Sequence, residues 1–286
     1  MTTLVLALGF WLCATALNVW LARSRWHRTG AVRVAIPTLF GLAILALWEG
    51  AVAGFDVSPV ILPAPSAVAR TFADSLGLLW VDFVQTVLRG ALRGFAIGVT
   101  VALICAVLID RWAFLTRGLL PIGNFCAALP IVGVAPIMVS WFGFDWQSKA
   151  AVVVVMVFFP ILVNTVQGLN ASTAIERDLL RTYGAGYWQT LLKLRLPAAM
   201  PFVFNGLKLS TTLALIGAIV AEYFGSPTRG MGFRISTSVG RLSIDLVWAE
   251  IAVAALVGSL AFGCVALIEK RITFWHPSQR VDQLGD

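Results

Sequence analysis

Charged residues are scarce in this chain. Asp, Glu, Lys and Arg make up 12% of its 286 residues, whereas 59% are hydrophobic. A soluble domain of this length carries about 25% charged residues, so the composition argues against a soluble enzyme and predicts that lipid surrounds most of the chain. The formal net charge of +7 fits Lys and Arg in cytoplasmic loops better than it fits nucleic-acid binding, and we predict no nucleic-acid partner.

The sequence also lacks the patterns of common catalytic and cofactor sites. It has no GxxxxGK[ST] phosphate loop, no CxxC pair, and no two histidines at metal-binding spacing. We therefore predict no ATP site of that kind in the chain itself, no metal, no cofactor, no catalytic residue and no enzyme activity. The cysteines lie in apolar runs and are expected to be small core residues without disulfides. They are Cys13, Cys105, Cys126 and Cys264.

Long apolar runs are abundant instead. A membrane-spanning helix needs about 20 mostly apolar residues, and seven such runs predict an all-α polytopic membrane protein. The predicted spans are Thr3–Leu21, Val34–Ala53, Val84–Ile109, Leu119–Phe142, Ala150–Leu169, Phe202–Tyr223 and Val247–Ile268.

The spans and the segments between them divide the chain into five parts. An outer interfacial helix is predicted after "LPAPS", with Ser66 as its N-cap and with Val68, Phe72, Leu76 and Leu79 on one face. The parts are 1–33 (first span and basic cytoplasmic linker), 34–61 (second span), 62–83 (outer helix), 84–268 (core, with a cytoplasmic loop at 171–201) and 269–286 (cytoplasmic tail).

The distribution of basic residues predicts the orientation. About two thirds of the 21 Lys and Arg residues fall on one side of the predicted spans, including the linker residues Arg23, Arg25, Arg28 and Arg33. Because Lys and Arg accumulate in cytoplasmic loops, that side is predicted to be the cytoplasm. The N-terminus is then outside and the C-terminus inside.

Helix-breaking residues interrupt the fourth span. Pro130, Gly133 and Pro136 fall within seven residues, and lipid cannot replace the backbone hydrogen bonds that proline removes. Such a segment either lines a translocation pathway or is a kinked packing helix.

Polar residues mark the ends of two later spans. Asn164 and Gln167 are three residues apart and share a face, with Thr165 beside them. Polar groups at this depth should contact protein or water, so we place all three in the pathway. Glu222 closes the sixth span and lies either at the mouth of the pathway or simply at the interface.

A Gly-rich basic stretch, "GSPTRGMGFRISTSVGRLSID" (225–245), precedes the last span. It is predicted to be an outer loop. Two interpretations stay open, a plain connector or a surface that faces a delivery partner or solute.

A basic, turn-rich segment from Tyr183 to Pro201 interrupts the apolar sequence. The pattern predicts a helix, a glycine turn at positive φ through Gly184 and Gly186, and a second short helix that Pro197 and Pro201 end. In the second helix Gln189, Lys193 and Arg195 form the polar side, where replacement of Arg195 by Ala is expected to be mild. The apolar side comprises Trp188, Leu191, Leu192 and Leu194. It would enter a groove of a partner protein or lie on the membrane surface.

This segment resembles the cytoplasmic EAA loop of binding-protein-dependent ABC importer permeases, EAA-x3-G-x9-I-x-LP. Asp178-Leu179-Leu180 stands for EAA, Gly184 is the glycine, and Leu194-Arg195-Leu196-Pro197 stands for I-x-LP. The spacing matches at every position, although Asp replaces Glu and a Leu pair replaces Ala-Ala. Further stretches between about Leu62 and Trp275 resemble the nitrate, sulfonate, taurine and bicarbonate branch, which includes riboflavin and thiamine-precursor importers. They are "LPAPSAV", "ALPIVGVAPIMVSWFGF", "FFPILVNTVQGL", "LPAAMPFVFNGLK" and "GAIVAEY".

The resemblance implies a type I ABC importer permease fold, a six-helix core plus one extra N-terminal helix, in the bacterial inner membrane. It also implies ATPase subunits docked on the loop, through Asp178, Leu179, Leu180, Gly184, Leu194, Leu196 and Pro197, an extracytoplasmic solute-binding protein, and a second permease copy, as a homodimer. The expected solute is a pyrimidine or vitamin precursor, with nitrate, taurine or sulfonate as the alternative. A transporter or channel that works without ATP is the alternative from another class.

Overall fold

The computed structural model describes residues 2–24, 29–112, 114–115, 118, 129–225 and 228–275. The regular secondary structure of these residues is helical, which confirms the predicted all-α class. The helices are α1 (Thr2–Arg23), α2 (Gly30–Gly54), α3 (Pro65–Asp74), α4 (Leu76–Phe83), α5 (Leu92–Arg111), α6 (Ile131–Phe142), α7 (Trp146–Leu169), α8 (Ala174–Thr182), α9 (Tyr187–Thr190), α10 (Leu196–Gly225), α11 (Met231–Gly240) and α12 (Ile244–Ile272). Two π-helical segments, Val84–Ala91 and Leu191–Arg195, join α4 to α5 and α9 to α10.

Within the described ranges, six continuous helical runs are long and apolar enough to cross a membrane. They are Thr3–Arg23, Gly30–Gly54, Leu76–Arg111, Trp146–Leu169, Tyr187–Gly225 and Ile244–Ile272. The seventh predicted span, Leu119–Phe142, corresponds to the 12-residue helix α6. The part of that prediction before Leu129 lies outside the described residues.

The described chain forms two compact units. The first contains the chain up to Leu78 together with Thr237–Ala252. In this unit α1 packs tightly against α2, because two glycines let the backbones approach. A Cβ added at Gly50 would lie 2.1 Å from the Cβ of Ala7, and one added at Gly54 would lie 2.7 Å from the Cβ of Leu4. The extra N-terminal span is therefore a packed neighbour of α2.

The second unit contains the described residues of Leu79–Ser236 and of 253–275. Its core consists largely of small and β-branched residues of α5, α7 and α10. A Cβ added at Gly94 would lie 2.6 Å from the Cβ of Val153, and one added at Gly98 would lie 2.3 Å from a methyl group of Val157. Membrane helices usually contact one another through small residues. Lipid is as apolar as the side chains, so the hydrophobic effect does not hold the helices together and close packing must do so.

The predicted outer helix is shorter than expected. Helix α3 ends at Asp74, and Leu76 begins the following spanning run. Leu76 is exposed whereas Leu79 is buried, so the prediction that they share the face of Val68 and Phe72 is wrong. The helix that starts at Leu76 continues without a break to Arg111, so Leu76 and Leu79 belong to the start of that long run. Nor is Ser66 the N-cap, since it lies inside α3, where the Glu49 carboxylate accepts bonds from its N–H and hydroxyl (2.9 and 2.7 Å).

The prediction that Pro197 and Pro201 stop the second short helix is also wrong. The chain is helical without interruption from Tyr187 to Gly225, with Pro201 inside α10. The π-helical turn Leu191–Arg195 precedes Pro197, and the N–H of Leu196 bonds to the carbonyl of Leu191. Such local widening accommodates proline in membrane helices, because it redistributes the backbone bonds that the ring disturbs.

Candidate functional site

Helix α8 begins the segment that the sequence predicted to be a docking loop. Thr173 is its N-cap and forms a capping box with Glu176. The N–H of Thr173 donates to the Glu176 carboxylate (2.8 Å), and the N–H of Glu176 donates to the Thr173 hydroxyl (3.3 Å). The bond from the backbone of Thr173 lowers the pKa of Glu176. The stabilisation that this capping box gives α8 is therefore fully present above the ordinary pKa of a glutamate. It is lost as the pH falls through the lowered pKa of Glu176 and the carboxylate becomes protonated.

Gly184 forms the turn after α8. Its φ is +73°, which confirms the prediction of a left-handed glycine. The N–H of Gly184 bonds to the carbonyl of Arg181 (2.9 Å), and the N–H of Ala185 bonds to that of Leu180 (3.0 Å). This pair of bonds is the Schellman motif. Gly186 differs from the prediction, because its φ is −75° and it is the N-cap of α9.

Apolar side chains protrude from the loop on both sides of this turn. Ile175, Leu179 and Tyr183 are 80%, 56% and 81% exposed. Trp188 and Leu192 are about equally exposed after the turn, at 61% and 60%. We call these five residues the apolar stripe of the loop.

The remaining apolar loop residues face inward. Leu191 is buried and packs with Leu169, Ala199 and Val203, so it does not share the exposed side with Trp188 and Leu192 as predicted. Among the predicted docking residues, Asp178 and Gly184 are exposed, whereas Leu180, Leu194, Leu196 and Pro197 are partly buried. The structure thus divides the matched motif into a protruding part and a part that anchors the loop to the core.

Arg195 is the main polar anchor. Its guanidinium forms two bonds with the carboxylate of Asp110 (2.5 and 2.8 Å), and its Nε donates to the carbonyl of Leu169 (2.9 Å). The hydroxyl of Tyr187 donates to the same carboxylate (2.8 Å). The side chains of Arg195 and Asp110 are only 13% and 6% exposed. The prediction that Arg195 lies on the solvated polar side is wrong, since it ties the end of the loop to the ends of α5 and α7.

The proline-rich fourth segment lies beside a small cavity. Pro130 is the N-cap of α6 and Pro136 lies inside it; both prolines and Gly133 are exposed. A cavity of about 120 Å³ lies beside this helix. Its lining includes Ile131 and Val134 of α6, Met156, Phe159 and Pro160 of α7, and Leu213 of α10.

Asn164 has a polar partner that sequence reasoning missed. Its amide nitrogen donates to the carbonyl of Pro160 (2.8 Å), and its oxygen accepts from the amide of Asn205 on α10 (3.0 Å). Gln167 and Asn205 are exposed and Asn164 is partly exposed. Thr165 is separate from them, because it is 1% exposed and its hydroxyl donates to the carbonyl of Ile161. The structure therefore brings Asn164 and Asn205 together and directs Thr165 into the core.

Glu222 does not lie at an open interface. It is 1% exposed and belongs, with Asp82 and Thr86, to a buried polar cluster around the start of α11. The backbone N–H groups of Gly230, Met231 and Gly232 donate to Asp82, Thr86 and Glu222 respectively, at 2.7, 2.8 and 3.2 Å. These three side chains satisfy donors that the first turn of a helix leaves without partners.

This cluster also explains the glycine-rich stretch before the last span. Gly230 has φ +117°, and a Cβ there would lie 2.4 Å from the Glu222 carboxylate; at Gly232 it would lie 2.0 Å from the carbonyl of Ile219. The Thr86 hydroxyl donates to Glu222 (2.6 Å), and Arg234 pairs with Asp82 (2.8 Å). Within the stretch predicted to be a loop, Met231–Gly240 is thus a helix. Its N-terminus is fixed by Glu222 and by Asp82 and Thr86, which are far away in the sequence.

Lys149 lies in the first turn of α7 and is 1% exposed. Its ammonium group donates to the carbonyl of Gly225 (2.9 Å) and to that of Phe144. Like Asp82, Glu222 and Arg234, it has hydrogen-bond partners that hold helix ends together, and the arrangement is structural. Within the described residues no group of three or more His, Cys, Asp or Glu is placed to hold a metal ion.

The spans, the loop and its glycine turn describe a membrane protein with several spans, and comparison with known proteins decides the family. Residues 98–274 match the family model described as the binding-protein-dependent transport system inner membrane component. The chain belongs to this family of ABC importer permeases. The match contains the loop, the described part of the fourth segment, Asn164, Asn205 and Glu222, whereas α1, α2 and the outer helix α3 precede it.

Individual relatives cover most of the chain. The formylaminopyrimidine transport permease of Halalkalibacterium halodurans is 32% identical over 243 residues, 85% of this chain and 96% of that protein. The riboflavin transport system permease of Chloroflexus aurantiacus is 32% identical over 263 residues, 90% and 94% of the two chains. The taurine transport system permease of Escherichia coli is 27% identical over 267 residues, which is 88% of this chain and 93% of that protein. These relatives are transport permeases, which is consistent with a membrane transport subunit that performs no chemistry of its own.

Proposed function

We propose that this chain is the permease subunit of an ATP-driven importer and that separate ATPase subunits dock on its loop at 171–201. A solute-binding protein outside the membrane delivers the solute, and two copies of the chain form the pathway. The observation that carries the proposal is the apolar stripe of the loop on both sides of the Gly184 turn. An exposed apolar surface on a short helical unit suits the groove of a partner protein.

The polar side chains on α7 and α10 support the pathway and the second copy. Asn164, Gln167 and Asn205 leave polar groups on the surface of long apolar helices. Lipid offers no hydrogen bonds to such groups, so they favour a surface that faces water or another protein. We propose that this surface, together with the segment from Pro130 to Pro136, faces the pathway between two identical subunits. Glu222 contributes to this pathway indirectly. It holds the start of α11 against α10, the helix that carries Asn205.

The solute that we propose is a small organic molecule of the pyrimidine or vitamin-precursor type. The support is the 32% identity to the formylaminopyrimidine and riboflavin permeases. A sulfonate or taurine is the second candidate, because a permease for aliphatic sulfonates from Bacillus subtilis is 30% identical over 243 residues. The identities to these permeases, 32% and 30%, differ too little to choose between the two solute classes. The solute is therefore better identified from what the binding protein binds.

Reconstituted uptake tests this function. The cognate binding protein is first screened by thermal shift against pyrimidines, riboflavin, taurine, sulfonates and nitrate. We then expect proteoliposomes with the permease, the ATPase and the loaded binding protein to accumulate the identified solute only with ATP. Solute entry at the same rate without ATPase and ATP would instead show an ATP-independent transporter or channel.

Cysteine labelling tests the pathway and the orientation together. In a background in which the four native cysteines are replaced by serine, a cysteine at Asn164 or Gln167 should react with a water-soluble thiol reagent, at a rate that changes when ATP is trapped on the ATPase. Thr165→Cys is the matched control and should stay inert, because Thr165 is buried. Equal inertness at all three positions would contradict a water-facing pathway.

The same reagent reports the side of the membrane. We propose that the loop and the C-terminus are cytoplasmic and that the N-terminus is outside, as the distribution of basic residues indicates. A cysteine at Tyr183, which is 81% exposed, should then be labelled in inverted vesicles from cells that lack the ATPase, which would otherwise cover this position. It should be protected in intact cells. A cysteine fused before Thr2 should show the reverse pattern. Labelling of both from the same side would overturn the proposed topology.

A further inference from the structure

A basic cavity lies between the loop and the end of α5. Its volume is about 280 Å³. Four arginines contribute to its lining, and no acidic residue does so among the described lining residues. The described lining consists of Arg111, Arg177, Arg181, Ala185, Tyr187, Thr190 and Arg195.

The carboxylates nearby balance only part of this charge. Asp110 pairs with Arg195, and Asp178 pairs with Arg181 through an exposed contact of 3.3 Å. The guanidinium of Arg177 donates to the carbonyl and hydroxyl of Ser172 (2.7 and 3.2 Å), which are neutral. That of Arg111 stacks over the ring of Tyr187, 4.7 Å from its centre. Glu176, outside the described lining, also interacts electrostatically with Arg177. Four guanidinium groups thus face three nearby carboxylates, and the cavity keeps a surplus of positive charge.

The cavity lies on the opposite side of α8 from the apolar stripe. Arg177 and Arg181 follow Ile175 and Leu179 by two residues each, which is about 200° around a helix of 3.6 residues per turn. The side of α8 proposed to enter the ATPase groove therefore points away from the arginines. Ala185 belongs to the turn. Of the other lining residues, Arg111 is the last residue of the run from Leu76, and Tyr187, Thr190 and Arg195 lie near the start of the run from Tyr187.

We propose that this cavity binds the phosphate group of an anionic phospholipid in the cytoplasmic leaflet. The proposal rests on the proposed function for the side of the membrane on which the loop lies. Guanidinium groups bind phosphate oxygens through paired, charge-assisted hydrogen bonds. A basic pocket between span ends on the cytoplasmic side is also where anionic headgroups are most concentrated. Free phosphate has the same binding chemistry, but the place of the cavity at the span ends favours a phosphate attached to a lipid.

Lipid titration of the purified full-length protein tests the proposal. Native mass spectrometry in detergent would measure binding of phosphatidylglycerol and, as the neutral comparison, phosphatidylcholine. We expect clear preference for phosphatidylglycerol. Arg177→Gln and Arg181→Gln should each weaken its binding roughly fivefold, and the double variant roughly 25-fold, because each removes one charge from the site. Lys193→Gln is the matched control, since Lys193 is an exposed loop cation outside the cavity lining, and it should bind as the wild type does.

Several results would overturn the proposal. Equal binding of the two lipids, or an equal loss in Lys193→Gln, would show that the cavity is not the site. Complete displacement of phosphatidylglycerol by millimolar inorganic phosphate would assign the cavity to a free anion. Retained lipid binding with lost ATPase co-purification in Arg177→Gln would assign it to the ATPase. The titration needs neither ATPase nor solute. Its result can therefore be interpreted even if the proposed transport function is wrong.

Discussion

A Gly184→Val variant is expected to reach the membrane at normal abundance, to lose co-purification of the ATPase subunit and to lose solute uptake. Gly184 has φ +73° in a turn closed by two backbone hydrogen bonds. A β-branched residue at positive φ is strained, at a cost on the order of 1–3 kcal/mol. A strained turn displaces α8 relative to α9. The stripe residues before the turn then no longer line up with those after it, and the ATPase groove cannot contact both. Since each 1.4 kcal/mol is a factor of ten in affinity, docking should weaken between about fivefold and about 100-fold.

Gly186→Val is the matched control for this prediction. Neither glycine has an atom within 4 Å of an added Cβ, and the two differ in backbone conformation, since Gly186 has φ −75°. Val at Gly186 should therefore largely retain ATPase binding and uptake, and Gly184→Ala should fall between the two variants. The measurements are membrane abundance by immunoblot, ATPase recovery in a pull-down, and uptake. Full docking and transport in Gly184→Val would show that the turn has no part in coupling.

Arg195→Ala is expected to destabilise the folded permease strongly, although its place in the sequence predicts a mild effect. The variant leaves the carboxylate of Asp110 without its guanidinium partner, and that carboxylate is 6% exposed. Removal of one member of a buried pair costs about 3–5 kcal/mol. The carbonyl of Leu169 also loses a donor. We expect a lower melting temperature in detergent and reduced abundance in the membrane, with any loss of uptake following from both.

A double-mutant cycle isolates the pair from other effects of the substitution. Asp110→Asn and Arg195→Gln should each be destabilising, and the double variant should be about 1–3 kcal/mol more stable than the sum of the two effects predicts. Lys193→Ala removes a neighbouring exposed cation and should change stability by less than about 0.5 kcal/mol. Additive effects of the two single variants, or an equal loss in Lys193→Ala, would show that the contact does not anchor the loop.

Local patterns in the sequence predicted the class, most spans and the glycine turn. The apolar runs of about 20 residues predict spans because a helix buried in lipid must be apolar along its whole length. Gly184 is predictable because the conformation after α8 depends on the residues next to it. Errors arose even here where two local signals competed, as with Pro197 and Pro201, which lie in a continuous helix because a π-helical turn adjusts the preceding backbone.

The polar contacts were beyond sequence reasoning. Asp110 and Arg195 are 85 residues apart, and Asn164 and Asn205 are 41 apart. No periodicity links such positions, and in the sequence Asp110 is simply a charge at the end of an apolar run. The sequence marks Glu222 as a polar residue at a span end, but it does not reveal its partners at the start of α11, because the Gly-rich stretch predicts a loop there.

The sequence by itself thus determined that this protein is an all-helical membrane protein with a turn-rich loop and which family it resembles, since lipid solubility and turn conformation depend on neighbouring residues. Only the tertiary structure decided which charges and amides are partners, which loop residues protrude and which are anchored, and where the arginines gather into one cavity. The physical reason is that a hydrogen bond or ion pair depends on distance in space. Packing of α5, α7 and α10 creates those distances, and the order of residues along the chain does not record them.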